Sequence, residues 1–86
     1  MKVVFSDNFL KSTRALPKKI QIKLDTLICT MEINPFHPLL HSKQLTGELT
    51  GTWSFRITRE WCVLFQFIDN LTVQLLRVSH RKDAYR

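Results

Sequence analysis

Five side chains in the C-terminal part of the chain suit work on a phosphate: Arg56, Arg77, His80, Arg81 and Tyr85. Guanidinium groups grip phosphate oxygens through a planar fork of donors. An imidazole exchanges protons near neutrality, and a tyrosine supplies a ring for stacking with a polar tip. The background charge agrees with such a target. There are 13 Lys+Arg against 7 Asp+Glu, a net charge of +6 on 86 residues. So basic a surface favours a polyanion: nucleic acid, an acidic protein segment or anionic lipid. Other chemistries find little support. His37 and His41 lie in one loop, with no third metal ligand at a recognisable spacing. Gly-rich phosphate loops, HExxH and GxSxG are all missing from the sequence. The two cysteines, Cys29 and Cys62, are far apart and suggest no disulfide framework. No apolar run approaches the ~20 residues of a membrane span. The opening MKVVF turns polar too soon for a signal-peptide core, so a reducing cytoplasm is the expected setting and a membrane partner is not expected.

The elements that must position these groups are legible. Lys2–Phe5 is a β-branched and aromatic run that reads as a first strand. Ser6 or Asp7 then caps a helix carrying Phe9, Leu10, Thr13 and Leu16 on one face, which must end or kink near Pro17. A second helix carries an apolar stripe of Ile20, Leu24, Leu27, Ile28 and Met31, and Asn34-Pro35 stops it. Ile22, Cys29 and Ile33 make a weaker apolar edge, either extra core or a strip for a partner. Cys29 reads most simply as a small buried apolar residue. A connecting loop over 35–50 is pinned by Leu39, Leu40 and Leu45 and carries His37, His41 and Lys43 as its polar features.

The stretch Gly51–Tyr85 reads as three consecutive strands and a basic tail. Asp69-Asn70 suits a two-residue type I′ turn with both residues at positive φ. That turn sets Ile68 against Leu71, Leu64 against Leu75 and Cys62 against Arg77. A three-residue loop, Thr58-Arg59-Glu60, sets Ile57 against Trp61 and Arg56 against Cys62. With side chains alternating along each strand, one face collects Trp53, Phe55, Ile57, Trp61, Val63, Phe65, Phe67, Leu76 and Val78 and receives the helices. The other collects Ser54, Arg56, Cys62, Leu64, Gln66, Arg77 and Ser79, with Ile68, Leu71, Val73 and Leu75 toward the turn. That second face is expected to stay open, with Arg56 and Arg77 on adjacent strands. The predicted fold is therefore α+β, β-α-α-β-β-β: a small, largely antiparallel sheet of about four strands with two N-terminal helices on one face, in a single domain over residues 1–86.

This layout, the run Leu45-Thr-Gly-Glu-Leu-Thr-Gly-Thr-Trp-Ser-Phe-Arg-Ile57 and the ending Arg77-Val-Ser-His-Arg-Lys-Asp-Ala-Tyr85 resemble the RelE/ParE superfamily of bacterial toxin–antitoxin toxins. The ending is most similar to the RelE branch. The resemblance covers essentially the whole chain. It implies a cytoplasmic type II toxin that cuts messenger RNA, commonly on the ribosome, and is neutralised by a cognate antitoxin. The implied reaction uses no metal or other cofactor. The 2′-OH attacks the adjacent phosphate, which requires positive charge on the phosphorane, a base and an acid. Matched one by one, Arg56 would contact the reacting phosphate or activate the nucleophile. Arg81 would stabilise phosphate charge. Tyr85 would stack on or orient the substrate or serve as an acid or base, and His80 would transfer a proton. Lys43, Arg59 and Arg77 would contact the RNA backbone. Cys62 stands where the family commonly places an arginine that stabilises the transition state, and a thiol cannot supply that fork of donors. The departure implies weakened activity, replacement by another arginine such as Arg77, or an inactive chain. The alternatives are a ParE-like inhibitor that acts by binding DNA gyrase, or a non-catalytic nucleic-acid or protein adaptor.

Overall fold

The computed structural model describes residues 1–83, without the side chain of residue 48; the expected contribution of Tyr85 lies outside the described residues. Strand β1 (Lys2–Phe5) leads into helix α1 (Asp7–Arg14) and helix α2 (Lys18–Ile33). A connector holds two short 3-10 turns, Pro38–Leu40 and Gly47–Leu49, around a two-residue strand β2 (Lys43–Gln44). Strands β3 (Trp53–Arg56), β4 (Trp61–Asp69) and β5 (Thr72–His80) follow. They form one sheet of five strands in the order β1-β5-β4-β3-β2. Strand β1 runs parallel to β5, and every other pair is antiparallel. The α+β architecture is the one the sequence predicts, with β2 as an added fifth strand from a segment expected to be loop.

The helices form for local reasons. Ser6 caps α1, its hydroxyl accepting the Phe9 N–H at 3.0 Å. Between α1 and α2, the Gln21 amide donates to the carbonyls of Thr13 and Leu16 at 2.9 and 3.1 Å, meeting groups that a helix end leaves orphaned. Leu24, Leu27 and Met31 project from α2 and Phe9 from α1 into one core with Phe55, Ile57, Val63, Phe65, Val73, Leu75 and Val78 of the sheet region. Trp53, Trp61 and Phe67 flank it, half-buried.

The register departs from expectation in an informative way. The first hairpin is as predicted, with Arg56 opposite Cys62 and the Ile57 N–H bonded to the Trp61 carbonyl at 2.9 Å. The second is not. Its turn residues are Asn70 and Leu71, flanked by the Asp69↔Thr72 pair. The Asp69 carboxylate accepts the Leu71 N–H at 2.8 Å, a side-chain-built turn in place of type I′. Among the described residues, the sole non-glycine at positive φ is His41. Cys62 faces Ser79 and Leu64 faces Arg77, and two irregularities make Ile68 and Leu76 the extra residues of β4 and β5. A bulge inverts alternation on one strand. Val73 and Leu75 therefore enter the core, where uniform alternation puts them on the opposite face, and Leu76 leaves it. Strand β4 lies between β3 and β5, so Arg56 and Arg77 are not on adjacent strands.

Burial brings further corrections. The face expected to be open is closed along its middle: Ser54, Cys62, Leu64 and Ser79 are buried there. Cys29 is exposed, as are Ile22 and Ile33, so that edge of α2 is surface and not extra core. Leu40 and Leu45 are buried and pin the connector, but Leu39 is exposed.

Helix α1 also completes the sheet. Strand β1 ends at the Phe5↔Leu75 pair, beside the Leu76 bulge. From there, the edge of β5 is met by helix side chains. The Ser6 hydroxyl donates to the Leu76 carbonyl at 2.9 Å. The Ser12 hydroxyl accepts the Val78 N–H at 2.9 Å and donates to the Phe9 carbonyl at 2.8 Å. A partly buried N–H stripped of its acceptor costs about 1–3 kcal/mol. Ser12→Ala should destabilise the protein by that amount in urea unfolding, and the Val78 amide should exchange with deuterium faster than its β5 neighbours.

Candidate functional site

The sheet end formed by the β3–β4 turn carries a cleft of about 80 Å³. Buried Ser54 and Cys62 lie at its base, and Cys62 is paired with Arg56 of β3 and Ser79 of β5 in one row across the sheet. Ser54, Arg56, Thr58, Arg59 and Cys62 line it from the hairpin, His41 and Lys43 from the connector, and Arg81 from beyond β5. Each contributor is held by backbone. Lys43 pairs with Ser54 through the β2–β3 ladder. The Arg81 N–H donates to the Glu60 carbonyl at 2.7 Å, tying the end of β5 to the turn that carries Arg59. Arg56, Arg59 and Arg81 are exposed, so their guanidinium groups remain accessible to an incoming anion.

Cys62 is the buried group of the cleft. Its thiol donates a weak hydrogen bond to the Ser79 carbonyl at 3.7 Å. Burial pushes the thiol above its ordinary range, against the opposing pull of the Lys43, Arg77 and Arg81 charges. The nucleophilic thiolate is correspondingly scarce at neutral pH, so the Cys62 sulfur belongs to the floor of the site in its neutral form.

Of the residues singled out in the sequence, the structure brings Lys43, Arg56, Arg59, Cys62 and Arg81 together. Arg77 lies on the same face but stands beside Leu64, outside the cleft lining, and acts on it by charge alone. His80 sits apart. It pairs with Trp61 and packs edge-on against that ring at 5.2 Å, and its Nδ1 accepts the Lys82 N–H at 3.3 Å. It borders a separate shallow depression with Arg59, Glu60, Arg81 and Lys82.

The residue that sequence reasoning passed over is His41. No local signal marks it: His41 reaches the cleft through a left-handed backbone conformation between the 3-10 turn and β2, not through strand periodicity. Among the described residues, no group of three or more His, Cys, Asp or Glu is placed to hold a metal ion, and no helix is long and apolar enough to cross a membrane.

No protein-family model and no curated protein sequence matches the chain; the likeness lies in solved structures. The chain superposes on a YoeB/ParE toxin from Agrobacterium tumefaciens with a TM-score of 0.78 at 21% identity, covering 94% of this chain and 99% of that one. YafQ from E. coli gives 0.81 at 15% identity, covering 99% and 98%. A chain of the RelBE2 toxin–antitoxin complex from Mycobacterium tuberculosis gives 0.78 at 28% identity, covering 93% and 96%. The resemblance read from the sequence is thus borne out at the level of fold, with neighbours carrying RelE, YoeB/ParE and YafQ names and no single branch favoured.

The two thiols give a direct check on the cleft. Cys29 should react rapidly with a soluble disulfide reagent. In a Cys29→Ser variant, Cys62 should react at least about tenfold more slowly at neutral pH. Its rate should rise with an inflection above that of a free cysteine, because burial disfavours the thiolate.

Proposed function

From a chain with the fold of a RelE/ParE superfamily toxin, we propose that it is the toxin of a type II toxin–antitoxin pair and an endoribonuclease that cleaves messenger RNA, on the ribosome, to inhibit translation. The observation that carries this reading is the convergence of Lys43, Arg56, Arg59 and Arg81 on one small cleft. Four cationic side chains from three segments, the connector, the first hairpin and the residues after β5, suit a single phosphodiester with charge building on its oxygens. The reaction is attack of the 2′-hydroxyl on the adjacent phosphate, which makes a 2′,3′-cyclic phosphate and frees the 5′-oxygen. Arg56 and Arg81 bind the non-bridging oxygens and stabilise the phosphorane. Lys43 and Arg59 hold the flanking backbone, with Arg77 as a more distant charge. Tyr85 orients the substrate.

Cys62 limits the rate on this reading. At the centre of the row it offers a weak S–H donor, already turned to Ser79, where an arginine would present a fork toward the phosphate. The protein partner is an antitoxin. Relatives with this fold were solved with RelB, YefM and DinJ antitoxins, and an acidic segment laid over the cleft would neutralise its charge.

One assay decides the activity. Purified protein is added to a translating extract and mRNA 3′ ends are mapped. Codon-positioned cuts with cyclic phosphate ends support the reading. Intact mRNA together with inhibited DNA supercoiling would replace it with gyrase binding. Arg56→Ala and Arg81→Ala should each lower cleavage about 10²–10³-fold with unchanged circular dichroism, since both side chains are exposed. Cys62→Arg should raise cleavage and strengthen growth arrest; equal activity in both forms removes the rate-limiting role of Cys62. Arg56→Glu combined with Arg81→Glu should weaken antitoxin binding in calorimetry.

A further inference from the structure

Among the described residues, the lining of the cleft is rich in cations and poor in proton acceptors. A guanidinium has five N–H donors and no acceptor, and an ammonium has none either. Lys43, Arg56, Arg59 and Arg81 can therefore neutralise a phosphorane but cannot take a proton from a hydroxyl. The buried Cys62 thiol is turned to the Ser79 carbonyl, and its basic form is scarce at neutral pH. Among the described lining residues, the remaining side chain with a good basic atom is the His41 imidazole.

The backbone around His41 is unusual and well held. His41 has φ 49° and ψ 43°, the left-handed region. Histidine enters that region more readily than most side chains, but a non-glycine there is uncommon and is maintained by surrounding structure. Here the surroundings are rigid. Leu40 is fully buried. The His41 N–H donates to the Pro38 carbonyl at 3.3 Å, the Ser42 hydroxyl donates to the Pro35 carbonyl at 2.7 Å, and Lys43 is in the sheet. The left-handed residue turns the chain between the 3-10 turn and β2 at the point where its side chain borders the cleft.

We propose that His41 faces the bound phosphodiester and is the proton acceptor of the site, in the place the sequence assigned to His80. This rests on the ribonuclease reading. The neutral imidazole takes the proton of the 2′-hydroxyl as the 2′-oxygen forms its bond to phosphorus. The bond from phosphorus to the 5′-oxygen breaks, and the leaving oxygen takes a proton from water. The imidazolium then returns its proton to the hydroxide so formed, leaving the protein unchanged.

The test uses the full chain and an RNA oligonucleotide carrying a 2′-deoxy substitution at the target nucleotide, which binds but cannot react. Ring signals of His37, His41 and His80 are followed by NMR across pH, with and without the oligonucleotide. Expected is an upward move of the His41 ring-signal midpoint on binding, from the approach of an anion, larger than any change at His80. In parallel, cleavage in the translating extract is measured against pH for the wild type, His41→Asn and His80→Gln. Asparagine accepts the left-handed backbone, so His41→Asn removes the imidazole and keeps the turn. Expected is a loss of about 10²–10⁴-fold in His41→Asn together with loss of the acidic limb of the profile, which His80→Gln retains whatever its rate. An unmoved His41 signal, or an acidic limb that survives in His41→Asn and vanishes in His80→Gln, overturns the assignment. Absence of cleavage by the wild type with a shifted His41 overturns the ribonuclease reading and the proton step, while upholding His41 as the phosphate-facing group.

Discussion

The edge of β5 beyond Phe5 is the constraint on which the site depends. Strand β1 is short, and past its last pair the backbone of β5 needs partners along a part-buried edge. Helix α1 supplies them through Ser6 and Ser12, so one eight-residue helix packs the core through Phe9 and completes the sheet through its hydroxyls. The Leu76 bulge sits at this junction. It lets Val73 and Leu75 point into the core on one side and Val78 on the other, and it aims Arg77 and Ser79 at the opposite face. Without that inversion, either half of β5 would turn apolar side chains outward. Burial at both halves thus requires the bulge.

Charge is the second constraint. Several cations gathered on a small surface repel one another, and that cost is tolerable when their guanidinium groups stay in water. Arg56, Arg59 and Arg81 are exposed while the cleft residues beneath them, Ser54 and Cys62, are buried and uncharged. A neutral base thus lies under a ring of exposed guanidinium groups. The neutral thiol at its centre fits this arrangement, since burial opposes the thiolate despite three nearby positive charges.

The fold was largely legible because its signals are local. Ser6, Pro17 and Asn34-Pro35 mark the helix ends, the Leu24, Leu27 and Met31 spacing marks the buried stripe of α2, and the Thr58–Glu60 loop yields the true register of the first hairpin. The second hairpin was misread because Asp69-Asn70 looks like a turn of its own. The Asp69 carboxylate instead builds the turn one residue later, and nothing local announces the compensating extra residues Ile68 and Leu76. Cys29 and Leu39 were misplaced because a small or apolar side chain says little about which neighbours remain to cover it.

What the sequence determined by itself was the order of the two helices and four main strands, the buried stripe of α2, the apolar face of the first hairpin and the basic character of the strand ends, all of which follow from short-range periodicity and composition. The tertiary structure alone decided which basic residues meet. Arg56 and Arg81 converge because a hydrogen bond from the Arg81 backbone to Glu60 ties Arg81 to the hairpin turn. His80 is directed to Trp61, and His41 is brought to the cleft by a left-handed turn anchored on buried Leu40. Those outcomes depend on contacts between residues distant along the chain, and periodicity carries no information about them.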